Sequence, residues 1–420
     1  MSGITKLSCE LVASILRSFD DISFLPPTLL TCRQFYAAFK EYPNILIEIM
    51  RQQVTSDLLP YSVAVVEASR LPHPRTSVGI QTLLDTLYDD PAQLVARLQM
   101  MTLSDMLRMG RTHDVIHDLA TDFAADAWDL LSHGDSGVSG KLVLSPKEYF
   151  RFCRAFYRVE LFCTLFRGEG IARPTAVDKS EIRGYLSRHP PWENEQICCV
   201  HDFLEKRLST ASLDVVAHDV QLGEYRIDYL SVGGENQWKQ LWLSQGVHFI
   251  HQLLHSSSYE SKTALLKGAM GSSSAELYDA LAESVEADSN DDTSLEDYTQ
   301  DMIEALVPRH DSQDTDQGPY LAWRAFHGYL PRSAWVMLST NSGLRERGYV
   351  LWDWDRMERY NMIELFQNIP NRASHAHTDE DYEEMEASFD QRSKIWQKGG
   401  SGYWRKGDTS KIVWPRVQPT

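Results

Sequence analysis

Leu7-Ser8-Cys9-Glu10-Leu11-Val12-Ala13-Ser14-Ile15-Leu16-Arg17-Ser18-Phe19 opens the chain, and Leu29-Leu30-Thr31-Cys32-Arg33-Gln34-Phe35-Tyr36 follows within ten residues. Read at helical spacing, Leu11, Ile15, Leu16 and Phe19 fall on one face of a first helix. After the break at Asp20-Asp21-Ile22-Ser23, Pro26-Pro27 suits the first turn of a second helix. That helix carries Leu29, Cys32, Tyr36 and Phe39 at offsets of three and four, with Leu30 and Phe35 widening the stripe. Pro43 ends it, and Ile45 to Met50 supplies a third. Three short amphipathic helices in fifty residues cannot bury a large core alone, so a partner or the rest of the chain must cover them.

Helical periodicity continues outward from this start. It marks Ser77–Leu87, Pro91–Arg108, Thr112–Leu131, the aromatic helix Tyr149–Phe166 behind Ser145-Pro146-Lys147-Glu148, and a helix from Pro190-Pro191 through Leu208. Trp238–His255, Tyr259–Lys267, Ser274–Val285 and Pro319–Leu330 read the same way. Short strands are expected only at Ala334–Leu338, Tyr349–Trp352 and Ile412–Trp414. The predicted fold class is therefore all-α or predominantly α, with minor β structure near the C-terminus. No fixed-period repeat is present, which disfavours solenoids and propellers.

The expected organisation is a helical module at 1–50, a helical body at 51–282, an acidic loop or insertion at 283–318, and a tryptophan-rich part at 319–420 packed on the body. Between Glu283 and Asp316 twelve acidic residues face one arginine, so this stretch reads as solvated, with Ser294 and Asp297 capping a short helix inside it. Trp323, Trp335, Trp352, Trp354, Trp396, Trp404 and Trp414 crowd the C-terminal end, a payload that needs burial.

Composition narrows the function class. With 43% hydrophobic residues in 420, the chain is globular. A net charge of −18 is opposite in sign to a nucleic-acid footprint and to a surface drawn to anionic lipid. Cys9, Cys32, Cys153, Cys163, Cys198 and Cys199 lack a disulfide-framework spacing. No signal-peptide pattern opens the chain, and no apolar run reaches the roughly 18 residues of a membrane span. Cytosol or nucleus is the expected location.

The opening residues resemble an F-box. That family's pattern is Leu-Pro-x-Glu-Leu-Leu, an Ile-Leu pair, and a Leu-x-x-Cys-Arg-x-Phe core. It is matched here by Leu7, Glu10 and Leu11, by Ile15-Leu16, and by Leu29, Leu30, Cys32, Arg33, Phe35 and Tyr36. Ser8 stands where the family has proline, giving up a fixed φ before the first helix, and Val12 replaces a leucine. Pro190-Pro191-Trp192-Glu193-x-Glu195-Gln196 and Arg347-Gly348-Tyr349-Val350-Leu351-Trp352-Asp353 loosely resemble stretches of fungal F-box-like proteins. The resemblance implies a protein adaptor. The eleven residues above would dock a Skp-type adaptor by amphipathic-helix burial, the remainder would bind a protein target, and a cullin–RING ligase would supply ubiquitin-transfer chemistry. Two other classes stand beside it: an interaction protein whose first helices belong to its own core, and an enzyme.

Catalytic patterns are sparse. His248, His251 and His255 share a helical face, but their neighbours are apolar and no carboxylate lies in register, so no metal is expected. Cys198 and His201 are three residues apart with Asp202 adjacent, yet the segment reads as half-buried helix. His133 to Lys141 lacks the glycine and hydroxyl of a phosphate loop. Asp288, Asn290 and Asp292 begin a calcium-loop pattern that Thr293 and Thr299 do not complete. No cofactor is expected.

Overall fold

The computed structural model describes residues 7–132, 138, 140–167, 179–230, 236–271, 277–282, 294–305, 314–330, 341–369 and 377–415. They form an all-α fold with a single two-stranded ribbon near the C-terminus. The N-terminal helices are α1 (Cys9–Arg17), α2 (Leu25–Thr31), α3 (Arg33–Glu41) and α4 (Ile45–Gln53). The body follows as α5 (Leu59–Arg70), α6 (Ser77–Asp89), α7 (Pro91–Ala96), α8 (Leu103–Ser132), α9 (Pro146–Phe166), α10 (Lys179–Leu186) and α11 (Pro191–His218). Next come α12 (Val220–Glu224), α13 (Gln237–Leu243), α14 (Val247–His255), α15 (Tyr259–Ala269), α16 (Leu277–Ala282) and α17 (Gln300–Ala305). The C-terminal part holds α18 (Gly318–His327), α19 (Ser342–Glu346), α20 (Trp354–Arg359), α21 (Met362–Gln367), α22 (Asp379–Gln397), β1 (Ser401–Gly402) and β2 (Ile412–Val413).

At the centre α9 packs against α5, α8 and α11. Its start is the predicted one: the Ser145 hydroxyl accepts from the Glu148 N–H, the Glu148 carboxylate accepts from the Ser145 N–H, and Pro146 occupies the first turn. Almost every side chain of α9 is buried, including Arg151, Arg154 and Arg158. A buried guanidinium is best matched by a carboxylate, because desolvating an unpaired charge costs several kcal/mol. Arg151 takes Asp314 through two bonds of 2.7 Å and Asp353 through a third of 2.7 Å. Arg154 and Arg158 share Glu193 of α11 at 2.9 and 2.6 Å. Glu148 returns a fork to Arg356 of α20, both contacts 2.6 Å.

This network draws the distant segments together. Gln196 donates to the Val350 carbonyl at 2.9 Å, and Arg345 meets Glu195 at 2.8 Å. The two stretches Pro190–Gln196 and Arg347–Asp353 are thus neighbours. Trp352 lies edge-on to Trp128 and Phe152, and Trp323 stacks on His327 in the core. Trp323 and Trp352 are fully buried, whereas Trp396 and Trp414 lie at the surface.

Several boundaries differ from the periodic reading. The expected second N-terminal helix is two helices broken at extended Cys32 (φ −157°), where the hydroxyls of Thr28 and Thr31 bond back to the Phe24 and Thr28 carbonyls and tie up the end of α2. Pro91–Arg108 breaks where Thr102 and Asp105 cap the start of α8. Trp238–His255 breaks at Gly246, whose φ is +86° and whose missing Cβ leaves room for the Glu160 carboxylate. Tyr349–Trp352 is no strand but a series of buried turns following Gly348 (φ +57°). A four-residue apolar run carries no periodicity that would distinguish the two. Ile412–Val413 does pair, antiparallel with Ser401–Gly402, while Ala334–Leu338 lies outside the described residues.

The end of the acidic stretch is not solvated. Asp314 and Asp316 face Arg151, and Asp314 is nearly inaccessible. Ser294 and Asp297 do cap a short 3₁₀ turn, Leu295–Asp297. Residues 283–293 and 306–313 lie outside the described residues. Among the described residues no helix is long and apolar enough to cross a membrane.

Replacing Arg151 by Met takes away the 2.7 Å cation contacts of Asp314 and Asp353, Asp314 keeping Arg154 at 3.4 Å. We expect a loss of about 3–5 kcal/mol in urea unfolding; a loss below about 1 kcal/mol would show that the network contributes little. His113 offers a pH handle. Its ring bonds the Tyr157 hydroxyl at 3.0 Å, and burial, aided by His117, pushes its pKa down from 6.5 to about 4. The unfolded chain therefore binds this proton at a pH where the folded chain does not, so stability falls as pH drops from 6.5 towards 4. His113→Gln should lessen that fall, read as unfolding free energies of variant and wild type at pH 7 and 4.5. A difference between the two proteins that does not change with pH contradicts this assignment.

Candidate functional site

The N-terminal helices have two unlike sides. One side is continuous with the body core: Val12, Ala13, Leu16, Ile22, Leu25, Ile45, Ile49 and Met50 are buried in the same cluster as α5, α8 and α9. The turn Ile22–Phe24 and α4 pack on α8. Gln53 fastens the joint, accepting from the Ile22 N–H at 3.1 Å and donating to Asp114 of α8 at 2.9 Å. A Cβ on Gly110 of α8 would stand 2.5 Å from the Ile22 side chain, so glycine is what permits this approach.

Other apolar side chains of these helices are open to solvent. Leu11 is 55% exposed, Ile15 39%, Leu30 88% and Tyr36 49%. Leu11 and Ile15 are one turn apart on α1, while Leu30 and Tyr36 come from α2 and α3, both helices packed against their neighbours in the module. Glu10 and Arg33 are exposed as well, and Leu7, Leu29 and Cys32 are half-buried. Leu16 and Phe35 are buried, so they build the module and are not available to a partner. The candidate residues therefore divide between face and foundation. Gln34 ties the parts together, donating to the Leu7 carbonyl at 2.9 Å across from α3.

Two details depart from the sequence reading. Ser8 adopts φ −65°, the value a proline would impose, and its hydroxyl caps α1 by accepting from the Leu11 N–H at 3.5 Å. The approach to the first helix therefore keeps its geometry without proline. Phe24, not among the expected contact residues, is 53% exposed and sits edge-on to Phe19 at 6.4 Å. Its position before Leu25-Pro26-Pro27, in what reads as a break, hid it.

The other constellations are occupied internally. His201 lies 3.1 Å from Asp202 and 3.0 Å from Gln240, so both ring nitrogens are engaged. Burial pushes the neighbouring Cys199 thiol well up, away from the thiolate a nucleophile requires. His248 pairs with the Thr112 hydroxyl at 2.8 Å, and His255 with the His251 carbonyl at 2.8 Å. A carboxylate does approach this face, from a different helix: Asp118 lies 3.5 Å from His251. Among the described residues no three His, Cys, Asp or Glu side chains converge as a metal site would require. Residues 133–137 and 139, and the calcium-like Asp288, Asn290 and Asp292, lie outside the described residues.

No family model, curated protein or solved structure matches the chain.

The tight joint at Gly110 makes a test. Gly110→Ala should push Ile22 away and loosen the module, at about 1–3 kcal/mol for overpacking. Hydrogen exchange should then rise across 7–53 while α9 and α11 stay protected. Unchanged protection in 7–53 would mean that the contact yields easily.

Proposed function

We propose that this protein is a non-catalytic adaptor of the F-box type. Its N-terminal helices dock a Skp-type adaptor protein, and the rest of the chain, by the same reading, receives a protein target for ubiquitin transfer in the cytoplasm or nucleus. The observation that carries the reading is the exposure of Leu11, Ile15, Leu30 and Tyr36 on a module whose opposite side is locked into the core. Apolar side chains of this size normally go inside. Here they lie within the pattern that resembles the family's docking helices, on a support that leaves them outward. Fully burying one such side chain contributes about 1.5–3 kcal/mol, set against the cost of association.

The alternative, an interaction protein whose first helices serve its own core, accounts for Val12, Leu16 and Ile49 but leaves the exposed set unused. The adaptor reading uses both sides.

The test is capture of the host's own Skp-type adaptor by the full chain. Leu30→Glu and Ile15→Glu place a charge where docking would desolvate it, and each should cost several kcal/mol of binding. Because Leu30 is almost fully exposed, Leu30→Glu should leave the melting temperature unchanged. Capture that survives both substitutions, or no capture by the wild type, removes the adaptor reading.

A further inference from the structure

A cavity of about 590 Å³ opens among α5, the 71–75 loop, α8, α9 and α14. Its charge is unlike that of the chain as a whole. Arg75, Arg108, Arg111 and Arg167 line it together with His73 and His248, against one carboxylate, Glu160. The chain carries 59 acidic side chains to 41 basic ones, so partners for these arginines are not scarce. In the core Arg151, Arg154, Arg158, Arg345 and Arg356 each hold a carboxylate, while buried Arg392 is met by the Ser388 hydroxyl and the Val216 and Asp219 carbonyls.

Three of the cavity's arginines lack that pairing. Among the described residues Arg108, Arg111 and Arg167 form no ion pair with a carboxylate. Arg108 reaches only the Val66 carbonyl, at 3.4 Å, and Arg167 the Gln245 carbonyl, its Nε buried without a hydrogen-bond partner. Glu160 is already committed, accepting from the Val247 N–H at 2.8 Å at the start of α14. Burial raises its pKa to about 7 against the pull of Arg167, so near neutral pH it is only partly ionised and offsets a fraction of the arginine charge. Burial, with His251, Arg111 and Arg108 adding to it, pushes the His248 ring down. Thr112, Thr164 and Ser69 add hydroxyls to the wall.

We propose that this cavity binds a small phosphorylated ligand, its phosphate groups taken by Arg108, Arg111 and Arg167. Guanidinium forks match phosphate oxygens two at a time, and three such groups call for more than one negative charge. The volume lies in the range of small-molecule sites, roughly 300–1,000 Å³, so a ligand of sugar-phosphate or nucleotide size fits better than a lone ion. The site stands independently of the adaptor reading.

Calorimetric titration of the full chain with pyrophosphate, with ATP and with citrate is the test. Pyrophosphate and ATP are expected to bind with micromolar affinity that weakens as salt rises. Arg111→Gln, at an exposed position where folding is not at stake, should weaken both roughly tenfold, as should Arg108→Gln; tenfold corresponds to 1.4 kcal/mol. Three results overturn the proposal: no binding of either phosphorylated probe at millimolar concentration, an affinity unchanged in both variants, or citrate bound as tightly as pyrophosphate. Binding of a phosphoserine peptide in preference to both probes would also overturn it, because the partner would then be a protein.

Discussion

Arg151 on α9, held between Asp314 and Asp353, is the contact on which the rest of the architecture depends. A guanidinium with no solvent access has few acceptable environments, and the carboxylates that satisfy it come from segments more than 160 residues away in sequence. Pairs of this kind add little net stability compared with apolar packing. Their effect here is to make alternative arrangements costly, since displacing 314–316 or Asp353 takes a carboxylate away from a buried guanidinium. Arg154 and Arg158 extend the constraint to Glu193, and Arg345 with Glu195 carries it along α11. The tryptophans then pack around a scaffold whose position the charges have set.

The N-terminal module shows the same division of labour on a smaller scale. Its inner side is defined by Leu16, Ile22 and Ile49 in the common core and by the Gln53 bridge to Asp114. Because the module is fastened on one side, its other side can keep Leu11, Ile15, Leu30 and Tyr36 in water without collapsing onto the body. The cavity bounded by α8, α9 and α14 lies on the same central helices but is lined by positive charge. Glu160 is part of its wall, and its carboxylate accepts from the Val247 N–H at the start of α14, just after Gly246 with its positive φ.

Much of the helical content was legible from periodicity, capping and proline placement. Ser145-Pro146-Lys147-Glu148 and Pro190-Pro191 announced α9 and α11, and Thr102 with Asp105 was a readable start that the longer Pro91–Arg108 pattern masked. Gly246 was likewise visible as a possible break, but its requirement follows from Glu160, 86 residues earlier. The candidate docking residues were found as a set. Their separation into exposed Leu11, Ile15, Leu30 and Tyr36 and buried Leu16 and Phe35 was not, because a stripe three residues wide on a short helix can face either way.

By itself, then, the sequence determined the helical class, the starts of helices such as α1, α9 and α11, and the strand beginning at Ile412, since caps, prolines and apolar spacing act within a few residues. Tertiary structure decided which acidic residues meet a buried charge. Asp314 and Asp316 belong by composition to a solvated run, yet they meet Arg151 because a buried guanidinium selects its partner by distance in space. It also decided that Tyr349–Trp352 turns instead of extending, and that arginines scattered from 75 to 167 face one cavity. Charge pairing and cavity lining bring together groups far apart along the chain, and no local pattern records where the chain will fold back to meet itself.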